Sequence, residues 1–417
     1  MCIKGIVAYT AEQSGNMVQI KRFTAGIEEV AYVFDWDSAA CFLTEDKGEA
    51  LHIVWNLQHF TGILFSLFPE PPKEGRTQIG TTKLFYVEKM LGIGQKRYIR
   101  GNIAEQYENN FYALQHWMPD QDEPKDALEL AERGEKVLEA LELLNIYPNK
   151  LTSPVGVYSQ SLPAMPTLLS SNNEMLVDVA NYCAPMMRKE WRQTFQQGYY
   201  EKLHSYDVVS AYPAMIMNLP DTDRCKIEHV TQSRPLSKNQ WGIFKGEYKP
   251  VGDIQPIKST EYLTSDELRW VGMWQAGEFS LEDGFILTFL TDKKPYQSTI
   301  NTLYDQRLAL QENEIAAFLA KNIPQGISGL LDQVKDNGTF GDFCNPVYAA
   351  MVRSKTRLRL GHYINTWIKS GQISPNDLVN INLDEVCFRN PVKDFAEKEH
   401  VRPGDWRYRV KEKVVVA

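Results

Sequence analysis

The sequence predicts an α/β protein of two or three domains, and three observations carry that prediction. The chain has 417 residues, enough for more than one hydrophobic core. Short apolar, strand-like runs alternate with amphipathic helical stretches along most of its length. One stretch, His204 to Pro220, begins as an apolar strand, breaks at Ser210-Ala-Tyr-Pro213 and continues as a helix-like run. Composition agrees: 43% hydrophobic and 24% charged residues are ordinary for a globular protein.

Residues 1–150 read as a first α/β domain. Strands are expected at Ile3–Tyr9, Met17–Phe23, Val30–Phe34 and His52–Trp55, a helix at Phe60–Phe68, and one or two amphipathic helices between Pro124 and Leu144. Residues 151–200 read as linker and helices: Pro, Ser and Asn dominate Tyr147 to Pro166, and 170 to 192 is helical. Residues 201–300 open on the His204–Pro220 stretch and continue with strands at Trp241–Tyr248 and Gly284–Leu290. Between them, Tyr262–Leu268 carries a Ser/Thr cap and an acidic first turn, so a helix starts there. Residues 301–345 read as two antiparallel helices, 300 to 322 and 326 to 335, joined at Asn322–Gly326. Residues 346–417 hold a long basic helix, a hairpin at Leu378–Phe388 and a short tail.

The net charge of -8 argues against a protein that coats nucleic acid non-specifically, while leaving room for a local basic groove. No apolar run is long enough to span a bilayer, and Met1–Tyr9 reads as a strand start, not a signal peptide. Six scattered cysteines without a Cys-x-x-Cys pair point to a reduced, cytoplasmic protein with no cysteine metal site.

Asp207 is the residue with the most chemistry. A carboxylate at the end of a buried strand, just before a helix start, is a hard ligand for a divalent cation, and the amides of the turn face an incoming phosphate. The same position equally suits a cap for the following helix. Tyr212, taken alone, reads as a core ring. Arg307 is either a triphosphate contact or a solvated helix residue. Arg353, Lys355, Arg357 and Arg359 form the densest basic run, facing either a template backbone or solvent.

Asp207-Val-Val-Ser-Ala-Tyr-Pro213 resembles the first catalytic motif of family B DNA polymerases, Asp-x-x-Ser-Leu-Tyr-Pro, most of all in the protein-primed branch of phages and linear plasmids. Asn337-Gly-Thr-Phe-Gly341 resembles that family's Asn-Ser-x-Tyr-Gly, and Asn345-Pro-Val-Tyr-Ala349 its Asn-Pro-x-x-Ala helix. The hairpin at 378–388 resembles Tyr-x-Asp-Thr-Asp-Ser, with Asp384 at the second Asp. The resemblance implies a ribonuclease-H-like exonuclease domain, a polymerase palm in two parts and two-helix fingers, with the thumb absent or minimal. It implies that Asp207, the Val208 carbonyl and Asp384 bind Mg²⁺ (or Mn²⁺). It places Ser210, Tyr212, Arg307, Lys335, Asn337 and Gly341 around a deoxynucleoside triphosphate, with the Tyr212 ring leaving no space for a 2′-hydroxyl. The implied partners are a DNA template and primer, together with a protein that supplies the primer or a thumb. The implied setting is the cytoplasm of a bacterial host.

Several positions depart from that pattern. Thr10 and Thr61 stand where the nuclease has metal-binding Asp, leaving Glu12 of the first pair, and Ala131–Gly134 carries no convincing last nuclease motif. Two-metal hydrolysis needs several carboxylates, so the first domain is expected to fold without cutting DNA. Gln333 takes the place of the triphosphate-binding Lys; Lys335, two residues on, needs a register shift to substitute. Asn382 replaces the first hairpin Asp, and Glu385 replaces the Ser. Glu385 is expected on the opposite strand face from Asp384, a poor replacement ligand. Two readings follow: an enzyme adding deoxynucleotides at Asp207 and Asp384, and a non-catalytic relative that binds nucleic acid or other subunits.

Overall fold

A computed structural model describes residues 6–34, 38–39, 42–43, 51–55, 59–60, 63, 78–79, 82–83, 111–113, 117–118, 121–147, 157, 174–187, 189–232, 234–333, 343–397 and 402–416. They divide into two compact units. The first takes Met1–Pro163 with Tyr304–Ile323; the second takes Ala164–Leu303 with Pro324–Ala417. The stretch expected as fingers is thus shared between the two units.

In the first unit, β1 (Ile6–Ser14), β2 (Met17–Thr24) and β3 (Ile27–Val33) form an antiparallel meander. Gly15 and Gly26 turn its corners with positive φ of 63° and 82°, where a side chain would be strained. β4 (Leu51–Val54) and β7 (Phe111–Ala113) extend the sheet in parallel, in the order β3-β2-β1-β4-β7, while β5 (Gln78–Ile79) and β6 (Thr82–Lys83) pair separately. Helix α1 (Ala127–Leu143) is capped by Asp126, whose side chain accepts from Glu129 N. Its apolar stripe lies on the sheet so closely that a Cβ at Gly134 would come within 2.6 Å of Ile53 Cδ1. The stretch Ala131–Gly134 therefore serves packing.

In the second unit, α2 (Glu174–Cys183) stops earlier than expected. Pro185 sits in a single 3₁₀ turn, and the chain is already strand at β8 (Arg192–Thr194). Proline removes the amide that would continue the helix. The central strand β9 (Gly198–Val208) begins well before His204 and is followed by the short helix α3 (Ala211–Ile216). β10 (Cys225–Val230), β11 (Gln240–Pro250), β12 (Tyr262–Thr264) and β13 (Gly277–Phe289) make one antiparallel sheet in the order β10-β13-β11-β12. Helix α4 (Ser265–Trp274) starts with the anticipated cap, a reciprocal capping box between Thr264 and Glu267.

Helices α5 (Gln297–Ala309) and α6 (Glu314–Leu331) are interrupted near 310–313 and not at 322–326. Asn313 caps α6, its side chain accepting from Ala316 N at 3.0 Å, and Pro324 lies inside the helix. Ala316, Leu319, Ala320, Ile323, Ile327 and Leu331 are all buried at helical spacing. Burying that continuous stripe outweighs the ~3 kcal/mol that an interior proline costs.

Helix α7 (Pro346–Lys369) runs through the core, capped by Asn345 and started by Pro346. β14 (Leu378–Asn382), β15 (Glu385–Phe388) and β16 (Trp406–Val416) complete a second sheet in the order β16-β9-β15-β14-β8. Tyr206 and Val208 of β9 pack with Leu360, Ile364, Trp367, Phe388 and Trp406 beneath it. The Tyr348 hydroxyl donates to the Pro220 carbonyl at 2.7 Å, which pins the end of the 204–220 stretch to α7. Among the described residues no helix is long and apolar enough to cross a membrane.

Candidate functional site

Asp207 stands on β9, the second strand of the five, cross-strand from Glu385 on β15 and Arg407 on β16. Strand alternation sends its neighbours Tyr206 and Val208 into the core with α7 and puts Asp207 on the other face. Asp384 occupies the two-residue turn between β14 and β15. The Val208 N–H donates to the Asp384 carbonyl at 3.1 Å, so the two acids, distant in sequence, are backbone neighbours. Leu383, just before Asp384, has φ 64°, in the left-handed region that ordinarily favours glycine. Its N–H donates to the Trp191 carbonyl at 2.8 Å, which fixes the turn.

Burial, and then the nearby Asp207 and Glu385 carboxylates, push the Asp384 carboxyl up to about 6, against a hydrogen bond from its own amide. Asp207 Oδ1 is buried and has no hydrogen-bond partner among the described residues. A buried, unpartnered carboxylate oxygen is costly, and a divalent cation is the natural remedy. The cap reading of Asp207 does not hold: the N-cap of α3 is Ser210, whose carbonyl accepts from Ala214 N at 2.9 Å.

Among the described residues no group of three or more His, Cys, Asp or Glu could hold a metal ion. The residues that could hold one between them are the expected pair, Asp207 and Asp384, with a backbone carbonyl such as that of Val208. This fits magnesium, which is commonly held by one or two carboxylates and completes its shell with water and substrate phosphate. Glu385 does not join the set, but not for the expected reason. It shares the face of Asp207, and its carboxylate is taken by Lys411 Nζ at 2.7 Å and by the Ser205 hydroxyl.

Because the folded-state carboxyl of Asp384 titrates near 6 against an ordinary 3.8, it favours the metal-free fold when protonated. That contribution, on the order of 2–3 kcal/mol, is complete below the unfolded value near 4 and is lost as pH rises to about 6. We expect the Tm in a chelator to fall over pH 4–6, and Asp384→Asn to flatten that fall.

Ser210 marks the other end of the site. It adopts φ 48° and ψ 50°, a left-handed conformation uncommon for a residue with a side chain, three residues after Asp207. Its side chain makes no cap hydrogen bond. Ser210→Gly is expected to raise stability by about 0.5–1 kcal/mol, read as a higher denaturation midpoint.

The remaining expected residues divide sharply. Tyr212 lies in the first turn of α3 with the Arg353 guanidinium 4.6 Å over its ring. Burial pushes its phenol up, and Glu190 and Asp384 add to the rise while Arg353 opposes it. The basic run of α7 does not form one exposed face. Arg353 pairs with Asp332 at 2.5 Å and Glu190 at 3.3 Å. Arg357 is buried against Glu267 at 2.7 Å and donates to the carbonyls of Pro256 and Lys189. Arg359 donates to the Gly404 carbonyl, and Gly404 N in turn donates to Val209 O at 2.6 Å. Lys355 and Arg359 have no acidic partner among the described residues: Arg359 is held by a backbone carbonyl, and Lys355 lies beside Lys294. A helix through a core turns its cations inward wherever acids wait for them. Arg307 is in the last turn of α5 and belongs to the first unit. Lys335, Asn337 and Gly341 lie outside the described residues.

In the first unit, Thr10 and Glu12 line a cavity of about 280 Å³ at the end of β1, with Trp55, His59 and Glu123. Glu12 and Glu123 are the two carboxylates on its wall. Thr61 lies outside the described residues. Sequence reasoning missed Glu123, Glu190, Asp332 and Lys411. Glu190, Asp332 and Lys411 act on partners far along the chain, and Glu123 meets Glu12 only across a cavity wall, so no local spacing marks them.

No protein-family model matches the sequence, and no curated protein matches it. The structure is similar to that of phi29 DNA polymerase complexed with primer-template DNA, with a TM-score of 0.57 and 9% identity, covering 96% of this chain and 83% of that one. The same polymerase with primer-template DNA and incoming nucleotide substrates gives 0.56 and 11% over the same shares, and its single-stranded DNA complex gives 0.54 and 10%. At these identities the likeness shows a DNA-polymerase-like fold.

Proposed function

We propose that this protein carries out template-directed deoxynucleotidyl transfer, with Asp207 and Asp384 holding the divalent cations. The observation that carries the reading is the buried oxygen of Asp207, without a partner among the described residues, beside Asp384 in the turn that leads into the neighbouring strand, in a polymerase-like fold. The phi29 structures contain primer-template DNA and nucleotides, which makes those the natural partners to propose here. Residues 201–300 and 346–417 would then be the palm, 301–345 the fingers and 1–150 a degenerate nuclease domain. A partner protein supplying the primer or a thumb belongs to the same proposal, as does the protein-primed type, and the cytoplasm of a bacterial host is the setting it implies.

Mg²⁺ or Mn²⁺ bound by the two carboxylates and the Val208 carbonyl supplies activation of the attacking hydroxyl and charge for the leaving pyrophosphate. The residues themselves do the rest. Asp207 and Asp384 stay apolar-walled on one side, which strengthens every charge interaction at the site. The Tyr212 ring, beside Asp384, lies under the sugar and rejects a 2′-hydroxyl by bulk. Gln333 leaves the triphosphate with one cation fewer than the family pattern, which slows transfer without abolishing it.

A second reading, nucleic-acid binding without chemistry, is favoured by Gln333 and by the Lys411 pair that keeps Glu385 from the cations. Primer extension separates the two. A labelled primer-template with Mg²⁺ or Mn²⁺ should lengthen, and no ladder shorter than the primer should form, because Thr10 cannot serve as a metal ligand in place of Asp. Retained DNA binding with no lengthening in either metal would establish the second reading.

A further inference from the structure

We propose that Arg353 is a positioning residue for the nucleotide subsite: it sets the place and angle of the Tyr212 ring. This rests on the reading of Tyr212 given above, but its geometry stands independently. One guanidinium makes three contacts. Its central carbon, Cζ, lies over the Tyr212 ring, 4.6 Å from the ring centroid. Nη2 meets Asp332 at 2.5 Å and Nη1 meets Glu190 at 3.3 Å. The Arg353 side chain is 10% exposed and Asp332 12%.

The four residues come from four places in the fold. Arg353 is on α7, Tyr212 in the first turn of α3, Asp332 directly after α6, and Glu190 just before β8. The planar fork of arginine suits such a junction, because each donor pair points in a fixed direction while the face remains free for a ring. Lysine offers one point charge and no plane.

Charge argues against a direct phosphate contact. One guanidinium faces two carboxylates, so the trio carries a net negative charge and would repel an anion. What it offers instead is a guanidinium held in place by two carboxylates under an aromatic ring. Asp332 also immediately precedes Gln333. The same guanidinium therefore ties the end of α6 to the ring, and a shift at that end would be felt by Tyr212.

The test uses full-length chain carrying fluorotyrosine at position 212, read by fluorine NMR, beside a primer-extension assay of deoxy- against ribonucleotide incorporation. Arg353→Met should move the Tyr212 resonance and relax sugar discrimination by about tenfold, the scale of a desolvated cation–ring contact. Arg353→Lys should restore part of each. Asp332→Asn keeps the shape, removes the acid that aims the guanidinium, and should move the resonance the same way by less. It also covers the case in which Arg353→Met fails to fold. A Tyr212 resonance unmoved by Arg353→Met and Asp332→Asn would overturn the inference whether or not the protein extends a primer. A moved resonance with unchanged discrimination in an active enzyme would overturn the role in sugar choice. A moved resonance in a wild-type chain that extends nothing would uphold the clamp and sink the polymerase reading instead.

Discussion

Asp207→Ala is expected to lower primer extension by at least about 10³-fold while DNA binding survives. The side chain contributes little to the fold that would be lost. Its Oδ1 has no hydrogen-bond partner among the described residues, and the sheet around it is held by backbone pairing with β15 and β16 and by a core on the opposite face. Removing a carboxylate that holds one buried oxygen without a partner among the described residues should leave metal-free stability unchanged or higher. The same substitution should therefore raise the Tm in a chelator and abolish stabilisation by Mg²⁺. Loss of activity accompanied by a lower Tm in chelator would point to a structural role for Asp207 and contradict the account.

Arg357→Met should cost about 3–5 kcal/mol of stability, the largest effect expected from any single substitution named here. Glu267 is fully buried, and its only ionic partner among the described residues is Arg357. The glutamate is also the third helical residue of α4, where it closes the capping box with Thr264. Without the guanidinium, Glu267 would be left charged and buried, and the carbonyls of Pro256 and Lys189 would lose a donor. Chemical denaturation should show a lower midpoint. The double variant Arg357→Met with Glu267→Gln should recover part of the loss, because no buried charge then remains. A single variant within about 1 kcal/mol of wild type would show that the pair contributes little.

Much of the candidate site is legible in the sequence, because its two carboxylates sit in motifs with local signals. Asp207 precedes a strand break at Ser210 and Pro213, and Asp384 sits between two runs of strand-forming residues. The capping box at Thr264 and the Asn345-Pro346 helix start are local as well, and each appears where its spacing places it. What is not legible is what lies across the fold. Arg353 and Arg357 look like half of a basic face, because nothing in the segment 345–359 shows that Asp332, Glu190 and Glu267 wait on other elements. The break between α5 and α6 is misplaced for a related reason. Proline is a strong local signal, but the buried stripe from Ala316 to Leu331 is a tertiary one and prevails. Glu385 shows the same limit: alternation from Asp384 fails to place it, since Asp384 belongs to a turn and not to the strand.

The central claim is that Asp207 and Asp384 jointly hold a divalent cation, and Mn²⁺ titration followed by electron paramagnetic resonance tests it most directly. Wild-type chain should take up Mn²⁺ at a tight site that Mg²⁺ displaces, and Asp207→Asn and Asp384→Asn should each lose it. Equal Mn²⁺ uptake by wild type and both variants would contradict the claim.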